Sequence, residues 1–466
     1  MTSLSEKAAI WFDGLRYDDI PNDVLRHNTL RVVDSIGLML AASAMKYGTA
    51  LRAGAVELGG VGPCSIVGFK DKVPAAFAAL TNGAMAECLV FDDTHNDTII
   101  HVSSSIVPTA FALAERIGLS GKDLLRLVVG GSELTCRIGL IARGQFHKNG
   151  FHPTGVIGAF GAACVAAQAL GLDTIRTRDA LGLVGSFASG IAQSWADGTW
   201  AQLIHPGWAA QAGIVAATLA KNGAPGPAEV FEGTFGIFRT HVQDKNYTFD
   251  FDRLTKDIGT TWECRNISFK PYPSSHVIHP YLDAIAALMR EGLKPEEIRK
   301  ITCPIAEYQI PVVAAPLSEK LRPATQAQAR TSLQYSLAEL LVTGTLNGSS
   351  YQEHTIRDPV ILDLTSKIEY VIDPDAPGTE RYQGWVMVDT NDGRRLEKIE
   401  PANRGSAANP MSDQDVIDKF HANAAMAMTR ANAERLLDAL LGIAENPSIN
   451  IVMSLCSGSM SAGKHS

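Results

Sequence analysis

Apolar positions recur at helical spacing through most of this chain, and many are small. The N-terminal stretch, to about residue 60, predicts two helices: Pro21 suits the first turn of one, and Leu30-Arg-Val-Val-Asp-Ser-Ile-Gly-Leu-Met-Leu keeps the period. Further helices are expected over Pro74–Val90, Ser105–Ile117, Ser120–Ile141, from Val156 onward, over Thr177–Gln193 and up to Lys221; Ser65–Phe69 suggests a short strand. Near Arg265 the pattern changes to a proline-punctuated joint. Beyond it a helix (Tyr281–Arg290), a strand (Ile298–Ala306), two helices (Gln326–Leu341 and Pro359–Thr365) and a strand (Lys367–Ile372) are expected. A hairpin follows around Asn391-Asp-Gly393. Helical periodicity returns over Asp413–Phe420 and Ala424–Ile443. The predicted fold is therefore mainly α. A large all-helical domain is made of 1–265 and 405–466, with a smaller α+β lid domain, 266–404, inserted in it.

One polar stretch interrupts the apolar helices. Between Phe91 and Pro108 lie three aspartates, two histidines, two threonines and three serines. Helices apolar on most faces are buried, so a polar connection between them needs its groups satisfied by partners or by a ligand. Capping explains some of it: Ser103, Ser104 or Ser105 as N-cap, with Asp92 and Asp93 accepting free N–H groups. It does not explain His95 and His101 together with Asp97, which favours the lining of an active site.

Composition narrows the function classes. Of 466 residues, 46% are hydrophobic and 19% charged, as in an ordinary globular protein of two domains or one with an insertion. A formal charge of −8 argues against nucleic-acid or anionic-membrane binding as the main role, so an anionic substrate would need a local basic site. The first residues carry no signal pattern and no apolar run is long enough to span a bilayer, so a cytoplasmic location is expected. The seven cysteines are widely spaced and never paired as C-x-x-C, which argues against a disulfide framework, a zinc site or an iron–sulfur cluster. His95 and His101 are six residues apart, which is not a helical ligand pair, and no metal is expected. Nucleotide-binding, zinc-protease and nucleophile-elbow signatures do not occur.

What remains are polar loops among apolar helices: Asp93 and His101, His152, Asp197 and His205, Lys270 with Tyr272, His276 and His279, and Arg330 with Tyr335. Lysine, tyrosine and histidine move protons and hold carboxylates near neutral pH. Lys270 stands between Phe269 and Pro271 at the joint of the two expected domains, where clefts form. A desolvated lysine there is a base or a partner for a substrate carboxylate.

These residues carry a resemblance. Phe91-Asp-Asp-Thr with His101 downstream, Gly150-Phe-His-Pro-Thr, Asp197-Gly-Thr with His205-Pro-Gly-Trp, Phe269-Lys-Pro-Tyr-Pro, Ala329-Arg-Thr-Ser-Leu-Gln-Tyr and Asn409-Pro-Met-Ser-Asp together resemble the MmgE/PrpD family, in order along nearly the whole chain. The resemblance implies a helical domain built from both ends of the chain, an inserted α+β lid, a homodimer and no cofactor. It also implies a small-molecule polycarboxylate substrate with a bond made or broken next to a carboxylate. It places Asp93, His101, His152, Lys270 and a histidine after the Lys-Pro-Tyr-Pro run at the site, and His276 and His279 both fit that last position. Gln202 departs from the pattern, standing where decarboxylating members have lysine.

The activity expected on this basis is an epimerase inverting the carbon next to a carboxylate in an amino-acid-like polycarboxylate such as iminodisuccinate. The alternatives are a dehydratase of the 2-methylcitrate kind, a cis-aconitate decarboxylase, or a non-catalytic carboxylate binder. Inversion needs a base on one face and a conjugate acid on the other. Lys270 is expected with His101 first and His279 second, Tyr272 joining them and Asp93 orienting His101. His152, Gln202, His276, Arg330 and Thr94 are expected to hold the substrate.

Overall fold

The computed structural model describes residues 2–379 and 381–457. It is mainly α, with one sheet of four strands. Buried apolar side chains form two main clusters. The larger runs from Leu4 to Ile267 and resumes from Phe420 to Cys456; the smaller lies between Ile278 and Val388. Chain ends far apart in sequence thus share one core, because the helix Asp413–Ala424 packs on Asn22–Ser43. Lys419 fastens that contact, giving hydrogen bonds to Asp34 and, at 2.7 Å, to the carbonyl of Phe91. Among the described residues no helix is long and apolar enough to cross a membrane.

Small residues set the spacing of the large cluster. The helices Ala75–Glu87 and Ala201–Lys221 cross where Gly83 meets Gly207, and a Cβ on Gly207 would fall 2.0 Å from the carbonyl oxygen of Leu80. That approach brings the C-terminal end of one helix and the N-terminal half of the other to the same region, so Glu87 and Gln202 meet at 2.9 Å. The helix Pro153–Ala169 packs against Ala201–Lys221 through similar small residues, and its proline occupies the first turn where no N–H is needed.

In the smaller unit the strands lie in the order Ile368–Ile372, Ile298–Ile305, Gly384–Thr390, Arg395–Glu400; the first pair is parallel and the others antiparallel. Gly384–Thr390 alternates between buried and half-buried positions, and the helix His279–Arg290 covers one face.

The expected elements shift in places. The first 60 residues hold three α-helices, because the chain breaks at Ala44-Met45 and restarts as Lys46–Gly59. The expected helix Thr177–Gln193 instead runs Thr174–Val184; turns follow it, and the carbonyl of Gly190 (φ 142°) accepts from the N–H of His152. Gln326–Leu341 is two helices, divided where Ser332 caps the second.

Replacing Gly207 with valine should destabilise the protein by about 2–3 kcal/mol or prevent folding, because the neighbouring backbone has no room to yield. Urea denaturation measures it; a midpoint like that of the natural protein would show the helix crossing to be more tolerant than this geometry.

Candidate functional site

The polar stretch is held against the joint by a short antiparallel pairing. Thr94 pairs with Ser268 and His95 with Ile267. Continuing the register by two residues sets Asp92 opposite Lys270, and the Lys270 Nζ lies 3.6 Å from Asp92 Oδ1 with both side chains buried. Lys270 also donates to the carbonyl of Val90 at 3.3 Å. Val90 and Ile99 carry positive φ angles of 53° and 57°, which cost β-branched residues about 1–3 kcal/mol each. Both line the cavity described below, so the strain sits where the backbone is bent around it.

Asp92 and Asp93 divide their roles. Asp93 accepts from the N–H of Ser103 at 3.0 Å, capping the helix Ser103–Ile117, and pairs with Arg31 at 2.8 Å in full burial. Burial alone would raise the Asp93 carboxyl. Arg31 and the Ser103 hydrogen bonds outweigh burial and hold it below the usual carboxylate range. The Asp93 side chain therefore faces Arg31, and it is its main-chain carbonyl that meets His101 Nδ1, at 3.0 Å. A carbonyl only accepts, so Nδ1 carries the proton and Nε2 keeps its lone pair. Thr94 Oγ1 stands 3.1 Å from the same Nδ1. Burial lowers the His101 pKa, opposed by Asp92, so the neutral ring is favoured.

A cavity of about 520 Å³ opens between the two clusters. Of the expected site residues, Thr94, His101, His152, Gln202, Lys270, His276 and Arg330 line it. Tyr272 and His279 stand behind the wall: the Tyr272 hydroxyl donates to Asp283 at 2.9 Å, and His279 Nε2 lies 3.2 Å from the carbonyl of Ser274. Arg330 Nη1 donates to the carbonyls of Leu89 (3.0 Å) and Pro273 (2.7 Å). Its guanidinium is thereby largely committed to the backbone. Asp197 is exposed at the end of a short helix.

Glu87 is the group the sequence reading overlooked. It is fully buried, accepts from Gln202 Nε2 through Oε1, and lies 3.9 Å from His152 Nε2; its Oε2 has no hydrogen-bond partner among the described residues. Burial, with Asp92 adding to it, holds the Glu87 carboxyl well above its usual range, so the protonated form is favoured. The signal was a single carboxylate in an otherwise uncharged helix, at Ala84-Met-Ala-Glu87. Trp195 donates to Gln202 Oε1, so both ends of that amide are engaged. His152 is neutral for the same reason as His101, burial pushing it well below its usual value, and its Nδ1 meets His205 Nδ1 at 3.1 Å. Glu87, His101 and His152 each bring one donor atom to within 4.8 Å of the others, and among the described residues these could hold a metal ion. The neighbouring Lys270 opposes a cation there. Burial lowers the Lys270 pKa and Asp92 opposes that shift. Chemically, the cavity combines this Asp92-paired amine, a free imidazole nitrogen and several neutral donors, which suits binding anions and moving a proton.

Known proteins match this chain over nearly its whole length. The MmgE/PrpD N-terminal domain matches residues 6–250, and the MmgE/PrpD C-terminal domain matches residues 272–443. A cis-aconitate decarboxylase-like protein of Aspergillus oryzae is 25% identical, over 97% of this chain and 96% of its own. The human cis-aconitate decarboxylase is 26% identical, over 98% of this chain and 95% of its own. A cis-aconitate decarboxylase of Aspergillus terreus is 25% identical over 96% and 94%. These relatives carry the name of lyases, which break a bond and release a fragment, whereas an epimerase only inverts a centre. The expected isomerase activity is overturned by them.

Arg31 to methionine leaves Asp93 charged and unpaired in the core, and should cost about 3–5 kcal/mol of stability. Because the folded pKa of Asp93 is depressed, its contribution is full above the unfolded value of about 3.9 and fades as pH falls through the folded one. The loss in the variant should therefore shrink in acid. A stability difference between the two proteins that stays constant from pH 7 down to pH 3 would contradict this.

Proposed function

Because the chain belongs to the MmgE/PrpD family, we propose that it is a lyase releasing carbon dioxide from a polycarboxylate, its substrate class an unsaturated tricarboxylate of the cis-aconitate kind. The observation that carries this reading is the pairing of a buried Lys270 ammonium with Asp92 beside the free Nε2 of His101, on a cavity whose other polar groups are neutral donors.

In such a substrate one carboxylate sits on the carbon next to a carbon–carbon double bond. As the bond to that carboxylate breaks, its electron pair moves into a new double bond. The old double bond's pair moves to the carbon beside a second carboxylate. That carbon then takes a proton, and carbon dioxide leaves. Lys270 stabilises the charge as it develops, an interaction strengthened by exclusion of water. His101 supplies the proton. Burial favours its neutral form, and the negative charges of a bound polycarboxylate favour the imidazolium, so His101 takes up a proton as substrate binds and gives it to carbon. Thr94, His152, Gln202 and His276 hold the carboxylates that stay. A dehydratase acting on a hydroxylated polycarboxylate is the second reading. Glu87, held protonated beside His152, favours it as the acid that such a leaving hydroxyl requires. The homodimer implied by the family is likewise a proposal, tested by sedimentation equilibrium.

With cis-aconitate in deuterated buffer, proton NMR should show a rearranged alkene bearing one deuterium, with carbon dioxide released. Water elimination from 2-methylcitrate without carbon dioxide from cis-aconitate would move the reading to the dehydratase. Lys270→Met should lower turnover by about 10²–10³ while far-ultraviolet circular dichroism stays native; turnover like that of the natural protein would remove Lys270 from the chemistry. The proton taken up on binding gives a sign to the pH dependence. KM should rise as pH increases above the depressed His101 pKa of the unliganded protein, and calorimetry in buffers of different ionisation enthalpy should record net proton uptake. A KM that falls with rising pH would contradict it.

A further inference from the structure

His276 lines the cavity, yet one of its ring nitrogens is engaged from behind. Asn403 Nδ2 lies 2.8 Å from His276 Nε2, and Asn403 Oδ1 accepts from Asn96 Nδ2 at 3.1 Å. All three side chains are buried. His276 Nδ1 is buried and is the ring nitrogen without a hydrogen-bond partner. The backbone steadies the relay, because the Asn403 N–H donates to the carbonyl of Tyr382 at 3.1 Å and the His276 ring meets Tyr382 edge-on at 5.4 Å. Asn96 belongs to the polar stretch, His276 follows the joint, and Asn403 lies on the segment that leads back to the larger core.

We propose that Asn403, oriented by Asn96, is a positioning residue that fixes His276 as the tautomer protonated on Nδ1, so that His276 offers the substrate a hydrogen-bond donor and no base. An amide NH₂ only donates, so Nε2 must keep its lone pair and the single proton of the neutral ring goes to Nδ1. The neutral ring is the favoured one, because burial pushes the His276 pKa well below its usual value, with His279 and Lys270 adding to the shift. A neutral donor suits a substrate carboxylate, and an orphaned buried N–H costs free energy until such an acceptor arrives. The role divides the histidines: His101 has a free lone pair and moves the proton, while His276 only binds. The relay joins the polar stretch, the joint and the segment leading back to the larger core, so the tautomer is set only when those three segments are in contact. This rests on the polycarboxylate reading for the ligand, but the tautomer itself does not.

The first test is nitrogen NMR of the natural protein labelled with ¹⁵N-histidine, the His276 signals being assigned with His276→Gln. The expected result is a protonated Nδ1 and an unprotonated Nε2; a proton on Nε2 overturns the proposal whatever the enzyme acts on. The second is Asn403→Asp, whose carboxylate accepts where the amide donated and so reverses the tautomer. Binding of tricarballylate, a saturated tricarboxylate that cannot react, should weaken about tenfold by calorimetry. KM for cis-aconitate should rise similarly, with kcat changed less. Asn403→Ala, which frees Nε2 without reversing it, should fall between the two. Unchanged tricarballylate affinity in Asn403→Asp overturns the proposal. Binding that weakens as expected while no polycarboxylate is turned over by the natural protein would instead sink the lyase reading and leave the relay standing.

Discussion

A lysine with no access to water stands opposite an aspartate because two residues of the polar stretch pair with two residues of the joint. The remainder of the site depends on that register. An ammonium moved into the protein interior is stable only against a compensating carboxylate, and the same low dielectric that makes burial costly makes the charge effective on a reacting anion. A slip of one residue would turn the Lys270 side chain to the other face of the ribbon. The pairing is only two residues long, so it must be braced from outside.

The bracing is a set of buried polar groups spent on the backbone. Arg31 holds Asp93, which caps the helix carrying the three serines; Lys419 reaches from the far end of the chain to Asp34 and the carbonyl of Phe91; Arg330 joins the carbonyls of Leu89 and Pro273. Each cation converges on Leu89–Asp93 or its neighbours. Breaking any one leaves a buried charge or carbonyl unpaired, which is costly, so the loop is held in one arrangement. The positive φ of Val90 belongs to the same arrangement, since it points the Val90 carbonyl at Lys270.

The helices were legible because small apolar residues recur with a clear period, and Lys270 because a charged residue between Phe269 and Pro271 at a change of pattern has few bland explanations. Glu87 showed only as a lone charge in its helix, and Asn403 was not legible. Each acts through a partner more than a hundred residues away, Gln202 for Glu87 and His276 for Asn403, and local pattern carries no trace of such contacts. The choice between His276 and His279 turned on which ring a short helical turn aims at the cavity, a matter of a few ångströms. The expected epimerase failed in another way: Gln202 in place of a lysine is a single departure in the sequence, and its buried neighbours are not visible there. The structure shows Gln202 bridging Trp195 and Glu87, a setting that no local pattern displays.

By itself the sequence determined the mainly helical architecture, the polar stretch and the family, since periodicity and ordered short motifs are local properties that survive without coordinates. Tertiary structure alone decided which carboxylate faces Lys270, which aspartate only caps a helix, which histidine nitrogen is free and which arginine is consumed by the backbone. Those outcomes depend on hydrogen-bond partners brought together by packing, and a proton follows its partner rather than the residue that carries it.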